Sequence, residues 1–262
     1  MRTRSVLALL AATALVAGCD PASPTDPGTP SSSTPTESAS TAADPAAAQA
    51  LGQATAALGN TSFKVTMTSG PGFKLTGQMD APGGKASAEM KATGSNTEIT
   101  VQTRLIGQDL YVQVPGVTKA GTWTRIDMSR LPEGANLGLK PGQIDPANTA
   151  QLLSSTTDVT QSSPREFKGT LDLTKASGLA GVDQLTIQKY GSTAQKVPFT
   201  AGLDEQGRLS ALTIQLPAVN GQQVEPLEVL YTDYGVTVPE LKPAAAEVVE
   251  APADLYSTLG GK

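Results

Sequence analysis

The chain has 262 residues, one cysteine, no histidine, and a formal net charge of −5 from 19 basic and 24 acidic side chains. Without histidine it lacks the commonest general base and metal ligand, and its sequence contains no nucleotide-binding, zinc-protease or calcium-loop motif. We therefore predict that the protein is not an enzyme and carries no cofactor or metal. An acidic chain with 4% aromatic residues also lacks the charge and stacking surfaces that binding of nucleic acid requires.

Residues 1–18 have the order of a secretory signal peptide, with basic residues followed by a short apolar run and then small residues. The apolar run, VLALLAATALV, is too short to span a bilayer, which takes about 20 residues. The segment ends in LVAGC, which resembles the lipobox of bacterial lipoproteins. This resemblance implies that the Cys19 thiol receives a diacylglyceryl group and that Cys19 becomes the new N-terminus. The alternative is an ordinary signal peptide beside an incidental cysteine.

Residues 19–44 are predicted to form the lipidated N-terminus and a tether rich in proline, serine and threonine. A segment of this composition cannot bury enough apolar surface to fold, so we expect a disordered stalk. Two acyl chains make attachment to a membrane durable, whereas one holds only marginally. The predicted location is therefore the extracytoplasmic face of the cell membrane, with the protein held there by its lipid anchor.

Residues 45–242 are predicted to be one folded domain, which begins with a helix, AAAQALGQATAAL, that ends at Gly59 and Asn60. After this helix, apolar and polar residues alternate with a period of two in FKVTMT, FKLTGQMD, EITVQTRL and DLYVQV. Such alternation predicts antiparallel strands with one apolar face and one solvated face. Turn signals rich in glycine separate the strands.

The pattern changes in the Gly/Pro-rich loop Pro132–Pro146, after which DPANTAQLLSS predicts a short helix capped by Asp145. LDLTKASGLAGVDQL is ambiguous, with a second helix as one interpretation. KVPFTAGL and RLSALTIQLP predict a hairpin across the turn DEQG, and PLEVLYTDYG predicts a further strand. Residues 243–262 are predicted to be a C-terminal tail. The predicted fold class is α+β: a strongly curved antiparallel β-sheet, or half-barrel, with a few helices closing its concave face.

The order of these segments, with the stretches GQDLYVQVPG, GTWTRIDMS and VPFTAGLDEQGRL, resembles the LppX/LprAFG family of mycobacterial-type lipoproteins. That family is related in fold to the LolA and LolB lipoprotein carriers, and the resemblance covers nearly all of the domain. It implies an apolar cavity that binds lipid or acylated glycolipid and carries it across the extracytoplasmic space. The implied partners are this ligand, the membrane through the lipid anchor, and a membrane transporter, with no nucleic acid.

The side chains expected to line the cavity are the apolar members of the alternating strands. They are Val65, Met67, Phe73, Leu75, Met79, Ile99, Val101, Leu105, Leu110, Val112, Val114, Leu212, Ile214 and Leu216. Each would serve equally well in a filled core, which is the commoner fate of such side chains. Trp123 is a separate candidate for the cavity rim because its indole N–H needs a partner, and a core or edge position suits it as well.

Two other functions remain open at this point. One is a LolA/RseB-like sensor or regulatory protein-binding lipoprotein, since related half-barrels serve in envelope-stress signalling. The other is a cell-surface interaction protein whose core is filled and which has no lipid ligand.

Overall fold

The computed structural model describes residues 44–94, 97–116, 118–131, 139–140, 143–154, 156, 158–175, 184–219 and 221–259. All of them belong to one compact unit, Ser40–Lys262. The predicted signal peptide, the Cys19 anchor and almost all of the predicted tether lie outside the described residues, and so does most of the predicted central loop.

The described residues form four α-helices and fourteen β-strands. The helices are α1 (Pro45–Asn60), α2 (Thr149–Ser154), α3 (Gln184–Tyr190) and α4 (Ala253–Leu259). The strands of the first half are β1 (Ser62–Ser69), β2 (Phe73–Asp80), β3 (Lys85–Thr93), β4 (Glu98–Ile106), β5 (Asp109–Gln113), β6 (Trp123–Asp127), β7 (Leu139–Lys140) and β8 (Gln143–Ile144). Those of the second half are β9 (Thr160–Ser163), β10 (Glu166–Leu171), β11 (Val197–Leu203), β12 (Leu209–Ile214), β13 (Leu227–Thr232) and β14 (Val248–Glu250).

Twelve strands form a single large, open and curved sheet, in the order β14-β6-β5-β4-β3-β2-β1-β13-β12-β11-β10-β9. Every neighbouring pair is antiparallel except β14 and β6, which are parallel. Strands β7 and β8 form a separate two-stranded ribbon. The prediction of an α+β fold built on a large curved sheet is therefore confirmed.

The alternation in the sequence separates the two faces of this sheet. On β1, Phe63, Val65 and Met67 are fully buried, whereas Lys64 and Thr66 are half-buried on the opposite side. The neighbouring strands show the same alternation, because residues paired across two strands point to the same face of the sheet. We call the side that carries Phe63 the apolar face and the side that carries Lys64 the polar face.

Helix α1 packs on the apolar face. Asp44 caps it by accepting a hydrogen bond from the backbone N–H of Ala46, and Pro45 occupies the first turn, where no backbone donor is needed. Its Leu51 and Leu58 side chains are buried in the same core cluster as the apolar residues of β1, β12 and β13. The prediction of a helix ending at Gly59 and Asn60 is confirmed.

The ambiguous segment LDLTKASGLAGVDQL lies largely outside the described residues; its described part contains a 3₁₀ turn, Leu173–Lys175, and the described helix α3 starts at Gln184. One region differs from the sequence interpretation. Beyond residue 242, the segment taken as a tail supplies β14, which pairs with β6 and joins the main sheet. The folded unit thus continues past the predicted boundary, because the edge of β6 offers unpaired backbone groups to a strand distant in sequence.

Candidate functional site

The predicted lining residues divide into two groups on the apolar face. Nine are buried in the core: Val65, Met67, Leu75, Met79, Leu105, Leu110, Leu212, Ile214 and Leu216. A side chain beside an empty cavity of lipid size keeps accessible area toward that cavity, so near-complete burial means direct packing against protein atoms. These nine side chains therefore contribute to the core of the sheet.

The other five predicted residues keep accessible area, and they lie at one end of the apolar face. Ile99 is 47% exposed, and Phe73, Val101, Val112 and Val114 are half-buried. The contrast along one strand is clear on β4, where Leu105 is buried while Ile99 and Val101, on the same face, are not. The apolar face is thus incompletely covered toward the start of β4.

Strand β3 completes this uncovered region. In the ladder, Phe73 pairs with Ala92 and Ala92 with Ile99, while Leu75 pairs with Met90 and Met90 with Val101. A third row runs from Gly77 through Ala88 and Thr103 to Val112. We call its half-buried and exposed apolar members the open apolar zone: Phe73, Ala88, Met90, Ala92, Ile99, Val101, Val112 and Val114.

The open apolar zone spans four strands and three residue rows, or about 14 Å in each direction at the usual strand and residue spacings. Strand β3 contributes two small side chains to the zone, Ala88 and Ala92, on either side of Met90 in the middle row. Beside Ala88, Gly77 has no side chain at all, and an added Cβ there would lie 2.7 Å from the Cε of Met79 and 3.0 Å from the Cβ of Ala88. The space over Gly77 is therefore filled by Met79 and Ala88.

The residues of β3 were missed in the sequence analysis. The signal was present: ASAEMKA alternates small or apolar residues with polar ones, between two turn signals. Alanine has a weak preference for strands, so the alternation alone carries little weight in a pattern search.

Trp123 lies on the polar face, at the start of β6, and is only 5% exposed. The guanidinium of Arg104 stacks 4.1 Å from the centre of its ring, and Arg104 also donates a hydrogen bond of 2.9 Å to the carbonyl of Leu241. The segment containing Leu241, residues 236–250, crosses this face, and we call it the C-terminal strap. Trp123 is therefore a covered residue of the polar face, away from the open apolar zone.

Ion pairs and strand pairing hold the C-terminal strap in place. Arg125 bridges Asp109 and Glu250, at nitrogen–oxygen distances of 2.7 and 2.9 Å. Lys85 pairs with Glu240 at 3.5 Å. These exposed and half-exposed pairs each contribute little, so the parallel pairing of β14 with β6 and the cover over Trp123 supply most of the attachment.

Asp145 is a buried carboxyl group beneath the apolar face, 6% exposed and located just before α2. Its Oδ2 accepts a hydrogen bond of 3.0 Å from the backbone N–H of Ala150, whereas Oδ1 has no hydrogen-bond partner among the described residues. Nearby, the hydroxyls of Thr149 and Tyr231 lie 2.5 Å apart. Burial raises the pKa of Asp145 to about 6, because the hydrogen bonds to its carboxylate only partly offset the loss of hydration. Burial also holds the pKa of Tyr231 well above its usual range.

Within the described ranges, no helix combines the length and apolar character needed to cross a membrane. Nor do three or more metal-ligating side chains come together in that part of the chain.

No protein-family model matches the chain, and a search of curated proteins returned no match. The resemblance to the LppX/LprAFG lipoproteins thus remains a prediction from the sequence.

Proposed function

We propose that the protein is a membrane-anchored lipoprotein that binds the acyl chains of a lipid or acylated glycolipid and carries it across the extracytoplasmic space. The observation that supports this is the open apolar zone, an area of half-buried and exposed apolar side chains on a face whose other large apolar strand residues are mostly buried. Monomeric proteins rarely leave large contiguous apolar patches uncovered unless the patch binds something. An acyl chain is the simplest occupant, because the zone is formed by aliphatic side chains and Phe73.

In this proposal, α1 and α2 cover the part of the apolar face formed by β12 and β13, and the ligand covers the part formed by β2–β5. The sheet and the helices together then make a half-barrel around the bound chains. Burying about ten methylenes would contribute roughly 8 kcal/mol before the cost of ordering the ligand is subtracted. Met90 suits such a site, because a flexible thioether adapts to chains of different length.

The proposed anchor is the diacylglyceryl group on Cys19, with the Ser/Thr/Pro-rich tether between it and the domain. This arrangement would hold the carrier at the extracytoplasmic face while leaving it free to receive and deliver its ligand. A membrane transporter is the expected partner in transfer.

Native mass spectrometry of the full chain with Cys19→Ala, which lacks the anchoring thiol, tests the proposal. We expect a bound lipid in the wild-type domain and a lower occupancy in Val101→Tyr, because the ring would cover Met90, the partner of Val101 on β3, and occupy space that an acyl chain needs. Thr100→Tyr is the matched control, since Thr100 precedes Val101 on β4 and points to the polar face. Tyrosine is used because it suits strands and leaves Trp123 as the only tryptophan.

Consistently bare protein, with its fold confirmed by circular dichroism, would refute lipid carriage. That result would favour the cell-surface interaction protein, with which the dense packing of nine predicted lining residues is compatible. Equal lipid occupancy in Val101→Tyr and Thr100→Tyr would show that the ligand binds somewhere other than the open apolar zone.

A further inference from the structure

The polar face contains a groove of about 380 Å³ that the lipid proposal does not use. Its floor is formed by residues of β13, β1, β2, β3 and β4, and Leu241 of the C-terminal strap forms one wall. The hydroxyl and amide side chains that line it are Thr66, Thr76, Gln78, Ser87, Gln102 and Thr232. We call this feature the polar groove.

Most of these hydroxyl and amide groups can still donate and accept hydrogen bonds. Gln102 donates to Glu89 at 3.3 Å. By contrast, the side chains of Thr66, Gln78 and Ser87 form no hydrogen bond with any described part of the chain, and the same holds for Thr76 and Thr232 at the rim. Each can both donate and accept, and water satisfies them in the free protein. A ligand rich in hydroxyl groups can displace this water and form the same number of hydrogen bonds with these side chains.

The charged groups around the polar groove are largely engaged with partners in the protein. Lys64 pairs with Asp233 at 3.0 Å, and Glu89 pairs with Lys91 at 3.3 Å. Among the described residues Arg104 has no carboxylate partner, but its guanidinium is held against the Trp123 ring and the Leu241 carbonyl. Uncharged hydroxyl and amide groups thus make up most of the polar lining, which favours a neutral ligand over a strongly anionic one.

We propose that the polar groove binds a neutral oligosaccharide. Sugar hydroxyls are simultaneous donors and acceptors, and the groove supplies amide and hydroxyl groups of the same dual kind on five adjacent strands. Its volume lies in the range of small-molecule sites, and the C-terminal strap gives it the wall that an open sheet face lacks. Because the groove and the open apolar zone lie on opposite faces, one lipid cannot fill both, and this site is independent of the lipid proposal.

The test is titration of the full-length Cys19→Ala chain with neutral trisaccharides of glucose, galactose and mannose, and with the trisaccharide of galacturonic acid as the charged counterpart of galactose. Calorimetry gives the dissociation constant, and the fluorescence of Trp123 reports binding beside its ring. We expect at least one neutral trisaccharide to bind at about 1 mM or tighter. Ser87→Tyr, which places a ring in the middle of the groove, should weaken that binding about tenfold or more.

Thr100→Tyr serves again as the control, because Thr100 lies on the same face but outside the lining of the groove; it should change the affinity by less than about twofold. Gln78→Ala is a smaller change that keeps the fold, and it should weaken binding several-fold. No binding of any neutral trisaccharide at about 10 mM would overturn the proposal, and so would tighter binding of the galacturonic acid trisaccharide. Unchanged affinity in both Ser87→Tyr and Gln78→Ala would also refute it. Lipid occupancy should be the same in Ser87→Tyr as in the wild type, so the two proposals can fail separately.

Discussion

Asp145→Asn should remove a pH-dependent loss of stability that the wild-type chain suffers between about pH 4 and pH 7. The carboxyl group is buried, one of its oxygens lacks a partner among the described residues, and its ionised form is therefore poorly hydrated. The titratable groups whose charges are coupled to it are the hydroxyls of Tyr231 and Tyr234, which are neutral in this pH range because burial raises the pKa of both. Among the described residues no cation lowers the pKa of Asp145, and burial is the dominant cause of its shift.

The magnitude follows from the two pKa values of the carboxyl group. Folding raises the pKa of Asp145 from 3.8 to about 6, and each unit corresponds to about 1.4 kcal/mol. The stability that this group contributes is fully present below pH 3.8 and is lost as the pH rises through about 6. The loss should therefore approach about 3 kcal/mol at neutral pH. In Asp145→Asn the amide oxygen can still accept the Ala150 N–H, and no charge forms at any pH.

Urea denaturation followed by Trp123 fluorescence, at pH values from about 4.5 to 7.5, measures this effect. The quantity compared is the free energy of unfolding of the wild type and of the variant at each pH. The free energy of unfolding of Asp145→Asn, relative to that of the wild type, should increase as the pH rises. Asp127→Asn is the matched control: Asp127 also caps a helical turn but is only half-buried, and its hydrogen bonds from Ser129 lower its pKa. A difference between Asp145→Asn and wild type that stays constant across the pH range would refute the account of this buried carboxyl group.

Three further outcomes are expected. Gly77→Ala should destabilise the fold by about 1–3 kcal/mol, because its Cβ would lie 2.8 Å from the backbone carbonyl oxygen of Ser87, whereas Gly202→Ala, whose Cβ meets only ordinary contacts beyond 3.5 Å, should be nearly neutral in the same urea assay. Cys19→Ala should move the protein from the membrane fraction to the medium, and continued tight membrane association would reveal another anchor. Ending the chain at residue 239 should expose Trp123 and shift its emission to longer wavelength; an unchanged spectrum in a folded variant would show that the C-terminal strap does not cover the ring.

The strands that could be predicted from sequence are those whose alternating residues are large. Phe63, Val65 and Met67 stand out against Lys64 and Thr66 because burial on one face of a strand requires a period of two. Strand β3 has the same period, but alanine replaces the large residues at three of its four apolar positions. The small side chains that weaken the signal in the sequence also form part of the open apolar zone, which is why a strand of the site was missed.

The solvent exposure of individual apolar side chains could not be predicted from this alternation. Ile99 and Leu105 lie on one strand and one face, and nothing in their local sequence distinguishes them. The difference arises from packing between distant segments, since the core cluster surrounds Leu105 but does not extend to Ile99. Asp145 was correctly expected to cap α2, yet its burial depends on the fold around it. The same limit applies to β14, because its pairing with β6 joins residues about 125 positions apart.

The two proposed sites lie on opposite faces of one sheet, so a substitution at one site can be compared with a substitution at the other. Thr100 and Val101 are adjacent in sequence, but the pleat of β4 points them to opposite faces. If both proposals hold, Val101→Tyr reduces lipid occupancy and spares trisaccharide binding, Ser87→Tyr does the reverse, and Thr100→Tyr spares both. A variant that abolishes both activities must instead have disturbed the sheet itself, and its urea midpoint would fall with them. Loss of both activities in Val101→Tyr and in Ser87→Tyr, at undiminished stability, would contradict the assignment of separate ligands to the two faces.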